Sequence, residues 1–201
     1  MSETGAIKFR CEHVVVEIGP FAGFAELNSH RRKLLELGML GLDASGIGFG
    51  NLSIRNGESG RFYITGSATG GKQELNLADY AKVVSYDFER NWLKCEGLSV
   101  ASSESLTHAA VYESRPEAGA IIHCHNLKLW AELLNQVPTT AKDAEYGTPE
   151  MAYAVRRLCQ NADLKRAKIF VMAGHEGGIV TFGKDLDEAL GVLVGASIAC
   201  S

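Results

Sequence analysis

The chain has 201 residues, 46% hydrophobic and 22% charged, a composition that excludes the disordered and membrane classes and is long enough to bury one sizeable core. A net charge of −4 with no basic run longer than His30-Arg31-Arg32-Lys33 gives no electrostatic footprint for nucleic acid, and that run reads as the wet face of a helix. Five cysteines, Cys11, Cys95, Cys124, Cys159 and Cys200, form no C-x-x-C pair, which fits small buried hydrophobes in a reducing compartment.

No apolar stretch approaches the roughly 20 residues that cross a bilayer, and the start Met-Ser-Glu-Thr-Gly lacks the basic and apolar regions of a leader. The expected location is cytoplasmic, with no membrane and no nucleic-acid partner. Without internal repeats or a Pro/Ser linker, the expectation is one domain over 1–201, with 1–20 as a candidate N-terminal extension.

Taken in order, Phe21 to Leu40 spaces Phe24, Leu27, Leu34 and Leu37 at helical intervals and predicts an amphipathic helix ending near Gly38 or Gly41. Gly50 to Arg55 and Arg61 to Thr65 alternate around Asn56-Gly57-Glu58-Ser59-Gly60, the pattern of a hairpin. Lys82 to Asp87 and Trp92 to Glu96 predict a second antiparallel pair turning at Arg90-Asn91.

Helices are then expected over Ser103–Ser114, Leu127–Asn135, from Pro149 through Cys159 and over Leu186–Ala199, with strands at Ala118–His125, Lys168–Ala173 and Gly178–Phe182. Thr148 is the expected N-cap and Pro149 the first helical residue. Strands interspersed with helices make an α/β domain, and the short connections predict a mainly antiparallel or mixed central sheet flanked by helices.

The strongest chemical signal is Ile121-Ile122-His123-Cys124-His125. Two histidines two residues apart on a strand project from one side of the sheet and can share an ion, while Cys124 turns the other way into packing. A catalytic ion usually takes three protein ligands and keeps one position open, and neutral imidazole suits zinc and its first-row neighbours. His175, among glycines at the end of an expected strand, is the third candidate. His13, His30 and His108, in charged or helical settings, serve as controls. Val100-Ala101-Ser102-Ser103-Glu104 stands at a helix start, where exposed N–H groups and serine hydroxyls can hold an anion or simply cap the helix.

These pieces converge in order. G-N-x-S-x-R at Gly50–Arg55, I-T with a following T-G at Ile64–Gly70, S-S-E-x(3)-H at Ser102–His108, R-P at Arg115–Pro116, H-x-H at His123–His125, and His175 ahead of Gly178-Ile179-Val180 resemble the class II aldolase/adducin family over about Phe24 to Ala199. The resemblance implies that family's three-layer fold. It also implies a zinc-dependent lyase, an aldolase that makes or breaks a C–C bond in a hydroxylated carbonyl compound such as a sugar phosphate through a metal-stabilised ene-diolate.

By the same resemblance, His123, His125 and His175 hold one divalent ion, Zn2+ first and Mn2+ or Co2+ as alternatives. Glu104 carries the proton, and Gly50, Asn51, Thr69, Gly70, Ser102 and Ser103 hold substrate phosphate. Relatives on this fold act as dehydratases, epimerases or decarboxylases, or bind without catalysis as adducin does. The family also implies a homotetramer.

Two departures stand out in the sequence. His175 is separated from the aligning glycine by Glu176-Gly177, which makes Glu176 or water the substitute ligand if His175 is not one. The Ile64–Gly70 loop offers Thr65-Gly66 as a competitor to Thr69-Gly70. Tyr146, in a loop, is a candidate substitute acid whose plainer reading is a surface tyrosine.

Overall fold

The computed structural model describes residues 7–57 and 60–200. The first six residues, on which the leader reading fell, and Glu58-Ser59 of the expected hairpin turn lie outside the described residues. Eight strands form one mixed sheet in the order β1-β7-β6-β5-β4-β8-β10-β9. They are β1 (Arg10–Val15), β4 (Asn51–Arg55), β5 (Phe62–Thr65), β6 (Tyr80–Asp87), β7 (Trp92–Gly97), β8 (Ala120–His125), β9 (Ile169–Val171) and β10 (Gly178–Gly183). The two-residue β2 (Gly41–Leu42) and β3 (Gly48–Phe49) pair separately.

The expected antiparallel character holds for every pairing in the main sheet except one. Strand β1 runs parallel to β7, with Cys11 opposite Leu93 and His13 opposite Cys95. Residues 10–15, read from the sequence as part of an extension, are thus an edge of the central sheet.

Helices cover both faces. Over one face lie α2 (Ser105–Ser114) and α4 (Pro149–Cys159), which bury Val111, Tyr112, Met151 and Val155 against Phe62, Ile64, Leu93 and Val180. Over the other lie α1 (Phe24–Glu36), α3 (Leu127–Leu133) and α6 (Leu186–Ala199), which bury Leu27, Leu34 and Leu193 against Leu52, Ile122 and Ile179. The short α5 (Ala162–Ala167) leads into β9. Each fully buried leucine contributes about 1.5–3 kcal/mol relative to exposure, so the two apolar faces are what fix the layers. Among the described residues no helix is long and apolar enough to cross a membrane.

Local chemistry sets the boundaries. Thr148 caps α4 by accepting from the Met151 N–H, with Pro149 at the first position, and Asp185 caps α6 by accepting from the Glu188 N–H. The Phe24–Glu36 helix begins three residues later than its periodicity suggests, after Gly23 in a left-handed conformation. The basic run on this helix is not a uniformly wet face. Arg31 is 3% exposed and donates to the carbonyls of Thr69 and Gly70, and His30 is buried between the Glu26 carbonyl and Asp187.

Candidate metal centre and active site

The site forms where β4, β8 and β10 run side by side, one strand in from the β9 edge of the sheet. Asn51 lies opposite His123, and Gly178 opposite His125. His123 and His125 share the face that also carries Ile121, whereas Cys124 is buried in the opposite core with Ile122 and Leu129, and burial pushes its thiol up to about 12. His175 sits in the turn between β9 and β10, where its N–H bonds to the Met172 carbonyl and its carbonyl accepts from Gly178.

The three imidazoles meet. One nitrogen from each lies within 4.8 Å of the others, and the Nε2 atoms of His125 and His175 are 3.0 Å apart. His123 and His175 are buried. Burial is the main cause that lowers all three: His125 to about 4, His175 to about 3 and His123 well below its ordinary value. Neutral imidazoles crowded this way bring three nitrogens to a common point, and with the right tautomers they are the donor set that a first-row divalent ion needs. The fit has a further sign: His123 Nε2 is buried without a hydrogen-bond partner, a costly state that coordination relieves.

Two glycines make the convergence possible. A Cβ on Gly178 would stand 2.8 Å from His175 Cδ2 and 3.4 Å from His123 Nε2, so only glycine lets the ring close over the strand. Gly50 has φ +77°, and a Cβ there would meet Leu40 Cδ2 at 2.0 Å and the His123 carbonyl at 3.1 Å.

Glu104, at the N-cap of α2, reaches the same point. It is 2% exposed, its Oε2 accepts from the Thr107 hydroxyl at 2.6 Å, and its Oε1 has no partner. Burial raises its carboxyl to about 7, against the lowering pull of the Thr107 hydrogen bond and Lys8. His175 Nε2 approaches Oε1 at 3.7 Å. With the imidazole depressed and the carboxyl raised, this contact is not an ion pair at neutral pH.

An open cleft of about 470 Å³ joins these groups to a donor-rich rim. Gly50, Asn51, Thr69, Gly70, Ser102 and Ser103 all line it, so the structure brings the whole expected set together. Of the two competing Thr-Gly pairs, Gly66 also lines the cleft, whereas the Thr65 hydroxyl accepts from the Leu52 N–H inside the sheet. The Thr69 hydroxyl closes the loop by donating to the Gly66 carbonyl.

The sequence misread Tyr146 and gave no sign of Lys8. Tyr146 is not a surface residue: it is 3% exposed, lines the cleft and packs 4.5 Å from the His175 ring. Lys8 lies over its ring at 3.8 Å; no sequence pattern links a lysine that early to the site. His108 is wholly buried, with Nδ1 2.7 Å from the Ser53 hydroxyl, which also lies 2.8 Å from the Tyr112 hydroxyl. Ser53, Arg55 and His108 of the G-N-x-S-x-R and S-S-E-x(3)-H motifs therefore support the site from within the core, Arg55 by donating to the carbonyls of Tyr112, Arg115 and Ala118 at and just after the end of α2.

A model of the Class II Aldolase and Adducin N-terminal domain matches residues 35–201. An L-fuculose phosphate aldolase of Methanocaldococcus jannaschii is 27% identical over 153 residues, 70% of this chain and 75% of that protein. Among solved structures, an L-fuculose 1-phosphate aldolase superposes with a TM-score of 0.69 at 22% identity, covering 92% of this chain and 85% of its own. A sugar-phosphate aldolase from Thermotoga maritima gives 0.66 at 18% identity, covering 88% and 91%.

Proposed function

Because the chain belongs to the class II aldolase and adducin family, we propose that it is a metal-dependent lyase that cleaves or forms a C–C bond in a hydroxylated carbonyl compound, a sugar phosphate foremost. The observation that carries this reading is the meeting of three neutral imidazoles, two of them buried, with the unpaired Oε1 of Glu104 in one cleft. A binding protein without chemistry has no use for buried polar atoms left unpaired at one point.

His123, His125 and His175 would hold the ion, zinc first by their chemistry. When bound, a divalent cation supplies Lewis-acid polarisation of a carbonyl oxygen. The chain's own residues do the rest. Glu104 takes or returns the proton at the carbon next to the carbonyl, and a carboxyl raised to about 7 can serve as base and as acid near neutrality. Tyr146, packed on His175, is the candidate second proton donor. The hydroxyls of Ser102 and Ser103 and the backbone at Gly50, Thr69 and Gly70 ring the cleft for a phosphate, and Arg31 fixes the Thr69–Gly70 loop from behind.

The test is a panel of sugar phosphates, hydroxy-aldehydes and keto-acids assayed with zinc, manganese or cobalt. We expect cleavage of at least one phosphorylated ketose, abolished by chelator and restored by the metal. Loss of water or of carbon dioxide in place of C–C cleavage to an aldehyde would assign the chain to the dehydratase or decarboxylase branch. Turnover unaffected by complete chelation would end the metal reading.

A homotetramer is also part of the proposal, and α6 supports an association surface. No residue after Glu188 in this helix is charged, yet Val194 is 36% and Ile198 71% exposed. Light scattering should give the mass of four 21.7 kDa chains. Ile198→Glu should weaken association about tenfold or more, since burying an isoleucine is worth about 1.5–3 kcal/mol. A monomeric wild-type protein in dilute buffer would contradict this.

A further inference from the structure

Asn51 opens β4 directly across from His123 in β8 and is 6% exposed. Its amide Nδ2 lies 3.2 Å from His123 Nδ1, while its Oδ1 is buried without a partner, as is His123 Nε2. With Nδ2 donating, Nδ1 must be the bare nitrogen and Nε2 must carry the hydrogen. His123 would then aim an N–H at the point where His125 and His175 converge.

A half-turn of the amide about its last torsion exchanges two ends of nearly identical shape, and that torsion is broad and roughly two-fold. After the turn, Oδ1 accepts from Nδ1–H, and Nε2 is left with a free lone pair. The rotation, together with relocation of the ring hydrogen from Nε2 to Nδ1, satisfies the unpaired Oδ1 and converts Nε2 from a hydrogen carrier into a ligand, with Nδ2 taking the place that Oδ1 leaves. Imidazoles that bind metals use their second nitrogen in this manner, donating to an oxygen that fixes the tautomer and the ring.

We propose that Asn51 is a positioning residue of the metal centre, its Oδ1 accepting from His123 Nδ1–H so that Nε2 faces the ion. This rests on the metal-centre reading above and gives Asn51 a role that phosphate binding alone does not. The Nε2 atoms of His125 and His175 instead face each other at 3.0 Å.

The test is zinc affinity, measured without substrate by competition with a chromogenic chelator near pH 7.5 for wild type, Asn51→Ala and Asn51→Asp. Loss of an outer partner of a metal-bound histidine costs about 10–100-fold in affinity, so we expect that loss in Asn51→Ala. Asn51→Asp, which keeps an acceptor, should stay within a few-fold of wild type. In the zinc-loaded wild type, long-range 1H–15N spectra should place the His123 hydrogen on Nδ1.

Equal zinc affinity in wild type and Asn51→Ala would overturn the proposal, as would an Asn51→Asp affinity as weak as that of Asn51→Ala. Should Asn51→Ala fail to fold, the Asn51→Asp affinity and the tautomer decide. A wild type that binds no stoichiometric zinc would bring down the metal centre itself, a failure separate from the ratio between variants.

Discussion

Glu104→Gln should lower kcat by about 10²–10⁴, the range that a positioned proton carrier contributes, on whichever compound the wild type cleaves. The substitution keeps the shape, fixes the neutral state and removes the ability to exchange a proton. Structural collateral should be small. With its carboxyl raised to about 7 by burial, Glu104 already spends much of its time protonated near neutral pH, and the Thr107 hydroxyl that donates to Oε2 can donate equally to an amide oxygen.

A KM within a few-fold and an unchanged zinc content would locate the loss in the proton-transfer step rather than in binding. If the variant and wild type turn over alike on every compound, Glu104 has no catalytic role. If zinc is lost together with activity, Glu104 acts on the ion and the assignment to proton transfer falls.

The sequence carried the architecture wherever a local rule was enough. Thr148-Pro149 marks a helix start because capping and proline's missing N–H are properties of adjacent residues, and the structure puts the helix at Pro149–Cys159. The side-by-side histidines follow from strand alternation alone. What escaped depends on partners far along the chain. Arg10–Val15 alternates weakly and becomes a strand only because β7 offers an edge.

Burial in loops and on helix flanks is similarly illegible. Arg31 resembles its neighbours Arg32 and Lys33 in sequence, yet only Arg31 meets the carbonyls of Thr69 and Gly70. Tyr146 sits in a stretch without periodicity, so no pattern announces that it packs on His175. The order of short motifs carried more than their individual strength. That order included Ser53, Arg55 and His108, which brace the sheet and α2 beneath the histidines rather than line the cleft.

The burial of the histidines sets a second large effect. Metal-free protein should lose stability steeply as pH falls from about 6.5 toward 4. His108 and His175 are lowered to about 3 and His125 to about 4, with His123 well below its ordinary value, burial being the main cause in each. In the unfolded chain each titrates near 6.5. Throughout that window the unfolded state binds more protons than the native state, so stability rises with pH and falls on acidification.

Glu104 works in the opposite direction. Its native carboxyl, raised to about 7, takes a proton before the unfolded one does, which stabilises the fold as pH drops toward 4.5. Each site is worth at most about 1.4 kcal/mol per pH unit, so four histidines against one carboxyl leave an upper bound of about 4 kcal/mol per unit. That is comparable to the whole stability of a marginal domain.

Urea midpoints of chelator-stripped protein at pH 7.5, 6.5 and 5.5 should therefore fall increasingly fast, and His108→Gln should flatten the fall by about one site's share. Saturating zinc should hold the midpoint up at pH 6.5, because an ion that binds only the native state adds to stability by mass action while protons compete for the same nitrogens. A midpoint that stays level from pH 7.5 to 5.5 without metal would mean that the histidines are not held neutral by burial, and a zinc effect absent at every pH would mean that they do not act together on an ion.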